Sequence, residues 1–277
     1  MSSIADRVRV RISNTVEGVA KTPVFVVGVQ RSGTTMLIDI LDRSPLCKSF
    51  QEVDERVMRD VRLREAAVVK EVIRKDYHPL LVFKPINDSQ HADSFIRTYE
   101  GARLIWVYRD YNDVVNSALV KWAEWQKRIV LWVRDHSDDE ANPTEEPYKW
   151  FAIYRERITP ETVEILRRCA DDSLTDAEGA ALLWYMRNIL YFDQQLEGRP
   201  EVMLVKYEDL VREPAVYIKR VFDFVGCRFR PEYIADVRAS SIARRSRPEL
   251  RRPIRDLCDG LQERLDAVYQ CERGRQQ

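Results

Sequence analysis

The stretch that decides the fold is Pro23-Val24-Phe25-Val26-Val27-Gly28-Val29-Gln30-Arg31-Ser32-Gly33-Thr34-Thr35. Its first half is a continuous apolar run rich in β-branched residues, which is typical of a strand buried on both faces of a parallel sheet. Its second half spaces two glycines around a polar turn and ends in two threonines. The backbone N–H groups of such a turn can hold an oxyanion at the start of a helix. The pattern therefore predicts a buried strand, a phosphate-binding loop and a helix in direct succession.

The loop differs from the ATP- and GTP-binding P-loop in the position of its cation. That P-loop reads G-x-x-x-x-G-K-[ST], with a lysine directly after the second glycine. Here Thr34 stands in the lysine's place, Thr35 fills the final Ser/Thr position, and the positive charge has moved to Arg31, ahead of Gly33. A loop that keeps the N–H cradle but moves the cation indicates a phosphorylated ligand other than a nucleoside triphosphate. An ordinary strand-to-helix turn is the weaker alternative, because the loop combines an arginine with three hydroxyl residues.

The composition predicts a globular protein and argues against several classes. The 277 residues are 45% hydrophobic and 32% charged, and 45 basic residues balance 45 acidic ones. A nucleic-acid binder would usually show a basic excess. No apolar run approaches the roughly 20 residues that span a bilayer, and the N-terminus lacks the apolar core of a secretory signal. The five cysteines lack CxxC spacing and only three histidines occur, so we expect no disulfide framework, no metal and a reducing cytoplasm.

Three further apolar segments match short buried strands, at residues 80–83, 103–107 and 201–205. Apolar residues at helical spacing fill the chain around them, which predicts a three-layer α/β fold with a mostly parallel central sheet. Polar side chains such as Lys84 and Arg109 come directly after the ends of these strands. Ligands bind at that edge of open parallel sheets, so we expect the site there.

The interval from about 118 to 197 contains no convincing strand and carries Trp, Tyr and Leu at helical spacing. We interpret it as a helical insertion with an acidic, proline-containing break at 138–147, and we expect most of its aromatic residues to pack in a core. Residues 230–277 are predicted to be helical again and include a basic run from Arg244 to Arg255.

Arg109 follows the third of the four predicted strands, and Ser117 comes eight residues later. Asp110 is suited to cap the next helix, and eight residues are slightly more than two helical turns. Ser117 can therefore face back toward the strand end, where a guanidinium and a hydroxyl could share one phosphate. Taken alone, the segment fits equally well an exposed Arg109 paired with Asp110 or Asp113.

Together, the two motifs resemble those of the sulfotransferases that use 3′-phosphoadenosine-5′-phosphosulfate (PAPS). Those enzymes carry a loop of the form P-x-[KR]-[SGA]-G-[TS]-[TS] for the 5′-phosphosulfate and an Arg-x7-Ser element for the 3′-phosphate. The matching residues here are Gln30 to Thr35 and Arg109 with Ser117, and a Tyr-Glu-Asp-Leu segment of the family is present at Tyr207. The resemblance extends from residue 23 to about 226. It implies a single P-loop-like α/β domain over 1–277 that moves a sulfuryl group from PAPS to a hydroxyl without a metal, leaving 3′,5′-adenosine bisphosphate (PAP).

The resemblance also implies roles for particular residues. Cofactor binding falls to Arg31, Ser32, Gly33, Thr34, Thr35, Arg109, Ser117, Tyr207 and Arg245.

An arginine in the loop is closer to the tyrosylprotein and bacterial sulfotransferases than to the cytosolic steroid and phenol enzymes, which mostly carry lysine. Glu52 falls where the tyrosylprotein group has its catalytic base, although the surrounding residues differ and a surface carboxylate is the competing interpretation. His91 is a second candidate base, Lys84 a candidate contact of the sulfuryl group, and Arg31 would stabilise charge on the bridging oxygen.

Two other classes of function stay open at this point. A P-loop kinase or ATPase shares the glycine spacing but would lack its lysine, and a non-catalytic module could bind a phosphorylated ligand without transferring anything. The acceptor of a sulfotransferase would bear a hydroxyl and could be a small molecule, a sugar, a lipid headgroup or a peptide. The sequence does not choose among these, and it leaves the oligomeric state, a homodimer included, open.

Overall fold

The structure, a computed structural model, describes residues 20–139 and 142–275. The N-terminal stretch for which no secretory signal is predicted, and two residues of the acidic break, lie outside the described residues. The chain divides into two compact units. Of the described residues, 20–108 together with 198–239 form the first, and 109–139 and 142–197 together with 240–275 form the second. None of the described helices has the length and apolarity that crossing a bilayer requires.

The elements are defined here by their bounds. The strands are β1 (Thr22–Gly28), β2 (Cys47–Phe50), β3 (Met58–Arg59), β4 (Arg62–Leu63), β5 (Leu80–Phe83), β6 (Arg103–Tyr108) and β7 (Val202–Lys206). The α-helices are α1 (Thr34–Leu41), α2 (Ala66–Lys75), α3 (Ala92–Thr98), α4 (Tyr111–Trp122), α5 (Trp125–His136), α6 (Tyr148–Arg155), α7 (Pro160–Cys169), α8 (Asp176–Asp193), α9 (Tyr207–Arg212), α10 (Pro214–Phe224) and α11 (Arg252–Arg275). Two 3-10 helices span Ile86–His91 and Pro231–Ile234.

The first unit is built on a parallel sheet of five strands in the order β2-β5-β1-β6-β7. The predicted α/β fold with a mostly parallel central sheet is therefore confirmed, and four of its strands lie within two residues of the predicted bounds. The sequence reading missed β2 and the β3–β4 hairpin. Their strands are only four and two residues long, too short for a periodic pattern to stand out.

β1 is the central strand because its side chains are buried on both faces, as its apolar run predicted. Phe25 lies opposite Phe83 on β5 and opposite Leu104 on β6. The Phe25 and Phe83 rings stack with centroids 5.3 Å apart, and Phe83 stacks on Phe50 of β2 at 5.0 Å. This aromatic row crosses three strands, so it fixes the register that brings the strands' carboxyl ends to one edge.

The second unit is helical, and α8 is buried along most of its length. Gly179 marks a close approach of α8 to α5, since a Cβ there would come within 3.0 Å of the Lys127 backbone. Thr175 and Glu178 form a capping box at the start of α8. The described residues of the predicted insertion contain no strand, as expected.

The C-terminal segment differs from the helix predicted over 230–277. A 3-10 turn occupies Pro231–Ile234, residues 235–251 form no helix, and α11 begins only at Arg252. Pro248 explains part of this, because a proline disfavours the helical conformation in the residue before it.

Arg251 anchors the start of α11 to the end of α7 and the start of α8. Its guanidinium lies 2.8 Å from Glu178 Oε1 and 2.5 Å from Asp171 Oδ2. Burial by itself raises the pKa of Glu178, but the hydrogen bonds from the Thr175 and Arg251 N–H groups and from the Arg251 side chain outweigh it, and the pKa is lowered. The Glu178 carboxylate is thus held ionised in the folded chain.

Candidate active site

The loop after β1 requires both of its glycines. Gly28 has a φ of 132°, and a Cβ there would lie closer than 3.0 Å to the Val107 carbonyl oxygen on β6. Gly33 has a φ of 88°, and a Cβ there would come equally close to the ring of Tyr207, the first residue of α9. Tyr207, expected to contact a nucleotide, therefore packs directly on the loop.

The loop fits an oxyanion. Ser32 is fully buried, and its Oγ has no hydrogen-bond partner among the described residues. α1 starts at Thr34 with Gly33 as its N-cap, so no side chain caps its first N–H groups. A buried hydroxyl without a partner and an uncapped helix start are groups that a phosphate oxygen satisfies. Arg31 is exposed beside them and adopts the left-handed backbone conformation, with a φ of 72°.

Lys84 joins the loop to Glu52. This lysine follows β5 and is 6% exposed. Its Nζ donates to Thr35 Oγ1 at 2.7 Å and lies 2.7 Å from Glu52 Oε1. Three residues singled out separately in the sequence thus meet at the carboxyl edge of the sheet. Lys84 also supplies a buried positive charge to the end of a loop that lacks the P-loop lysine.

The turn that carries Glu52 is fixed to α1 by a second link. Gln51 Nε2 donates to Asp39 Oδ1 at 2.9 Å, and Asp39 lies one turn beyond Thr35 on the same face of α1. Burial raises the pKa of Asp39, while the nearby Lys84 opposes the rise. The Glu52 side chain is 31% exposed, so the carboxylate is both anchored and open to solvent.

His91, the second candidate base, ends the first 3-10 helix and precedes α3. It is half-buried. Glu52, the first candidate base, has a defined place beside the loop, because the Lys84 ammonium contacts it.

In the second unit, Arg109 precedes α4 and contacts Ser241 and Asp113. Its Nη2 donates to the Ser241 carbonyl at 2.6 Å and lies 3.2 Å from Asp113 Oδ2. The same Asp113 oxygen accepts the Ala243 N–H at 3.0 Å. Ser117 lies one turn beyond Asp113 on the same face of α4. Arg109 is 7% exposed, so the alternative of an exposed arginine is wrong, although the pairing with Asp113 is real.

These contacts bring the basic run next to Arg109. Asn116 of α4 donates to the Ser246 carbonyl at 2.9 Å, so residues 241–246 lie along the start of α4. Arg244 and Arg245 in this segment, and Arg247 directly after it, are exposed and make no hydrogen bond or ion pair with any described residue. They lie outside any helix, so the prediction of helical structure over 230–277 is wrong for them.

Comparison with known proteins decides the family. The sulfotransferase domain family matches residues 21–247, which is most of the 277 residues. This chain belongs to the sulfotransferase domain family. No curated protein matches it. The family prediction is thereby confirmed, and the likeness to the tyrosylprotein branch stays a prediction.

Several solved sulfotransferases align with this one at low identity. The sulfotransferase domain of the Synechococcus PCC 7002 olefin synthase is 15% identical, with 87% of this chain and 94% of that one covered and a TM-score of 0.49. A sulfotransferase from Alicyclobacillus acidocaldarius is 16% identical, with coverage of 91% and 97% and a TM-score of 0.49. A mouse sulfotransferase complexed with PAP is 13% identical, with coverage of 82% and 68% and a TM-score of 0.39.

Sequence reasoning missed part of what shapes this sulfotransferase site. Asn87 and Ser89 contact the loop, and Asp113 holds Arg109. A signal for the first two was present, since a polar Asn-Asp-Ser run follows directly after Lys84-Pro85 and a strand end. The sequence indicates Asp113 only as a possible partner of Arg109, because it cannot show that Asp113 also binds the distant backbone N–H of Ala243.

Proposed function

We propose that this sulfotransferase moves the sulfuryl group of PAPS to a hydroxyl of its acceptor. The observation that carries the proposal is the Lys84 ammonium, 2.7 Å from both Thr35 Oγ1 and Glu52 Oε1. It gives the phosphate-binding loop, a buried cation and a solvent-accessible carboxylate a common centre. Sulfuryl transfer needs those three groups: one that holds the phosphate, one that balances negative charge and one that takes a proton.

The residues that would bind PAPS form two groups, one for each of its phosphates. The backbone N–H groups of residues 32–35 and the hydroxyls of Ser32, Thr34 and Thr35 would hold the 5′-phosphosulfate. Arg109 and Ser117 would hold the 3′-phosphate, with Arg245 closing over it. The buried partnerless Ser32 hydroxyl supports the first assignment. The second is supported by Arg109, whose guanidinium is already oriented by Asp113 and Ser241.

The chemistry follows from these positions. When bound, the donor supplies an activated sulfuryl group. Glu52 would take the proton from the acceptor hydroxyl as the hydroxyl oxygen forms the new S–O bond. The old S–O bond would break at the same time, with its electrons passing to the oxygen of the 5′-phosphate. Arg31 and Lys84 would stabilise the negative charge that gathers on the departing oxygen, so positioning and electrostatics provide most of the rate. His91 is the alternative base.

The acceptor is proposed only by class, as a molecule with a hydroxyl that can reach Glu52. A phenol-like small molecule, a sugar, a lipid headgroup and a peptide all meet that condition. The carboxylate itself is compatible with each, because its side chain is 31% exposed.

The test is transfer of labelled sulfate from PAPS to a panel of these acceptors, with and without a metal chelator. Wild-type protein should label at least one acceptor in the presence of the chelator. Glu52→Gln should bind PAP normally but lose labelling, whereas Glu55→Gln, an exposed neighbour, should behave as wild type. Normal labelling by Glu52→Gln would refute its role as the base, and a protein that binds PAP but labels nothing would favour the binding-module alternative.

A further inference from the structure

The first 3-10 helix carries three consecutive polar residues, Asn87, Asp88 and Ser89, to which the sequence reading gave no role. Asp88 and Ser89 are 4% and 0% exposed, and Asn87 is half-buried. Buried polar groups are costly unless they are hydrogen-bonded, so the partners they hold indicate what they do. Each of the three holds a different segment.

Ser89 holds the end of β1. Its Oγ accepts the Gly28 N–H at 3.1 Å and lies 2.9 Å from the Gly28 carbonyl and 2.8 Å from the Ile86 carbonyl, to either of which it can donate. Gly28 is the residue at which the chain leaves the sheet to form the phosphate-binding loop. Ser89 therefore holds the backbone of Gly28, where the loop begins, against the 3-10 helix.

Asn87 holds the middle of the loop. Its Oδ1 accepts from Gln30 Nε2 at 2.9 Å, and its Nδ2 donates weakly to the Val61 carbonyl at 3.4 Å. Gln30 directly precedes Arg31, whose left-handed backbone is unfavourable for a residue with a Cβ. Such a conformation persists only where its surroundings fix it, and the Gln30–Asn87 bond is one such restraint.

Asp88 holds the hairpin of β3 and β4. Its Oδ1 accepts from Arg62 Nε and its Oδ2 from the Leu63 N–H, both at 2.6 Å. The carboxylate, buried between the 3-10 helix and the hairpin, fixes the segment that carries Asn87 and Ser89. Asn87 and Ser89, which contact the loop, thus lie on a segment that Asp88 holds in place.

We infer that Asn87 and Ser89 are positioning residues that hold the loop in its anion-binding conformation, Asn87 acting through Gln30 and Ser89 through Gly28. The inference rests on the proposed function, because it takes the loop to bind the 5′-phosphate of the nucleotide. It predicts that loss of either contact weakens binding of that phosphate and leaves binding of the rest of the nucleotide unchanged.

The experiment compares two nucleotides that differ only in the 5′-phosphate. Dissociation constants of PAP and of adenosine 3′-monophosphate are measured by calorimetry for wild type, Asn87→Ala, Gln30→Ala and the double variant. Ser89→Ala is measured beside Ser94→Ala, a matched serine on α3 whose hydroxyl contacts Asp93 and Arg97 instead of the loop. Urea unfolding of each protein shows how much stability is lost.

Asn87→Ala and Ser89→Ala should each weaken PAP binding about fivefold to tenfold, the value of one hydrogen bond, and leave adenosine 3′-monophosphate binding unchanged. The double variant should be no worse than Gln30→Ala, because Asn87 acts through Gln30. Ser94→Ala should change neither affinity. A general loss of structure cannot produce this pattern, because it would weaken both nucleotides alike.

Three results would overturn the inference. If wild type prefers PAP but Asn87→Ala and Ser89→Ala keep the full preference, the loop needs no support from the 3-10 helix. If the Asn87 and Gln30 effects multiply, Asn87 does not act through Gln30. If wild type itself binds both nucleotides equally, the proposed function fails at the loop and the inference falls with it.

Discussion

The sharpest structural prediction concerns what a methyl group would do at three glycines. Gly28, Gly33 and Gly101 all have positive φ, at 132°, 88° and 67°. A Cβ at Gly101 would meet nothing within 4 Å, one at Gly33 would overlap the Tyr207 ring, and one at Gly28 would overlap the backbone carbonyl of Val107. Alanine at Gly101 therefore adds backbone strain alone. Alanine at Gly33 adds backbone strain and an overlap with a ring that can move, and alanine at Gly28 adds backbone strain and an overlap with a strand that cannot.

The magnitudes follow from those differences. A left-handed backbone costs a residue with a Cβ about 1–2 kcal/mol. Alanine also lowers the conformational entropy of the unfolded chain, and this stabilises the folded state by about 0.4–1 kcal/mol and offsets part of the cost. Gly101→Ala should thus lower the free energy of unfolding by about 0–1.6 kcal/mol. Overpacking adds about 1–3 kcal/mol, so Gly33→Ala should lower it by about 1–4.6 kcal/mol. Gly28→Ala should lose at least as much, since β6 cannot move aside without disturbing the sheet.

Urea unfolding of the three variants measures the order. A double-mutant cycle of Gly33→Ala with Tyr207→Ala then isolates the ring contact, and the pair should be less destabilised than the sum of its parts by about 1–3 kcal/mol. If Gly33→Ala costs no more than Gly101→Ala, or if the cycle gives strictly additive losses, the packing of Tyr207 on the loop is not as described.

Three further predictions concern charge. Arg31→Ala should lower turnover about 10²–10³-fold at unchanged stability. Arg228→Ala, an exposed control in the same unit, should have no effect on turnover. Near-normal turnover in Arg31→Ala would remove Arg31 from the mechanism. Glu52→Gln should abolish turnover and His91→Gln should not, and the reverse result would make the histidine the base. The lowered pKa of Glu178 implies stability that is present above its ordinary pKa of 4.5 and is lost as pH falls further. Glu178→Gln should therefore flatten the fall in unfolding free energy below about pH 5, and an unchanged slope in urea titrations would count against this.

The central sheet could be predicted because its strands follow a simple rule. β1, β5, β6 and β7 are buried on both faces, and a strand in that environment must be apolar throughout. β2 could not be found in this way. It is an edge strand whose two central residues, Lys48 and Ser49, are half-buried, so its sequence has no continuous apolar run.

The candidate site was predictable as far as its residues lie in local motifs. The loop, Arg109 and Ser117 stand at fixed spacings after strands, and Lys84 directly follows a recognisable strand. The contacts that hold these residues within each unit are not local: Lys84 meets Glu52 across the sheet edge, and Ala243 reaches Asp113 from the far end of the chain. Such contacts depend on the register of strands and the path of a loop without helical structure. No periodicity in the sequence specifies either.

The measurement that tests the central claim most directly is the shift in melting temperature on adding PAP in the presence of a metal chelator, with ATP and Mg²⁺ as the comparison. At about 100 times its Kd, PAP should add about 2.7 kcal/mol to the stability of the folded chain. Arg109→Ala should abolish the shift, whereas Arg252→Ala, an exposed arginine at the start of α11, should keep it. Stabilisation by ATP with Mg²⁺ and none by PAP would contradict the account and make the chain a kinase or ATPase instead.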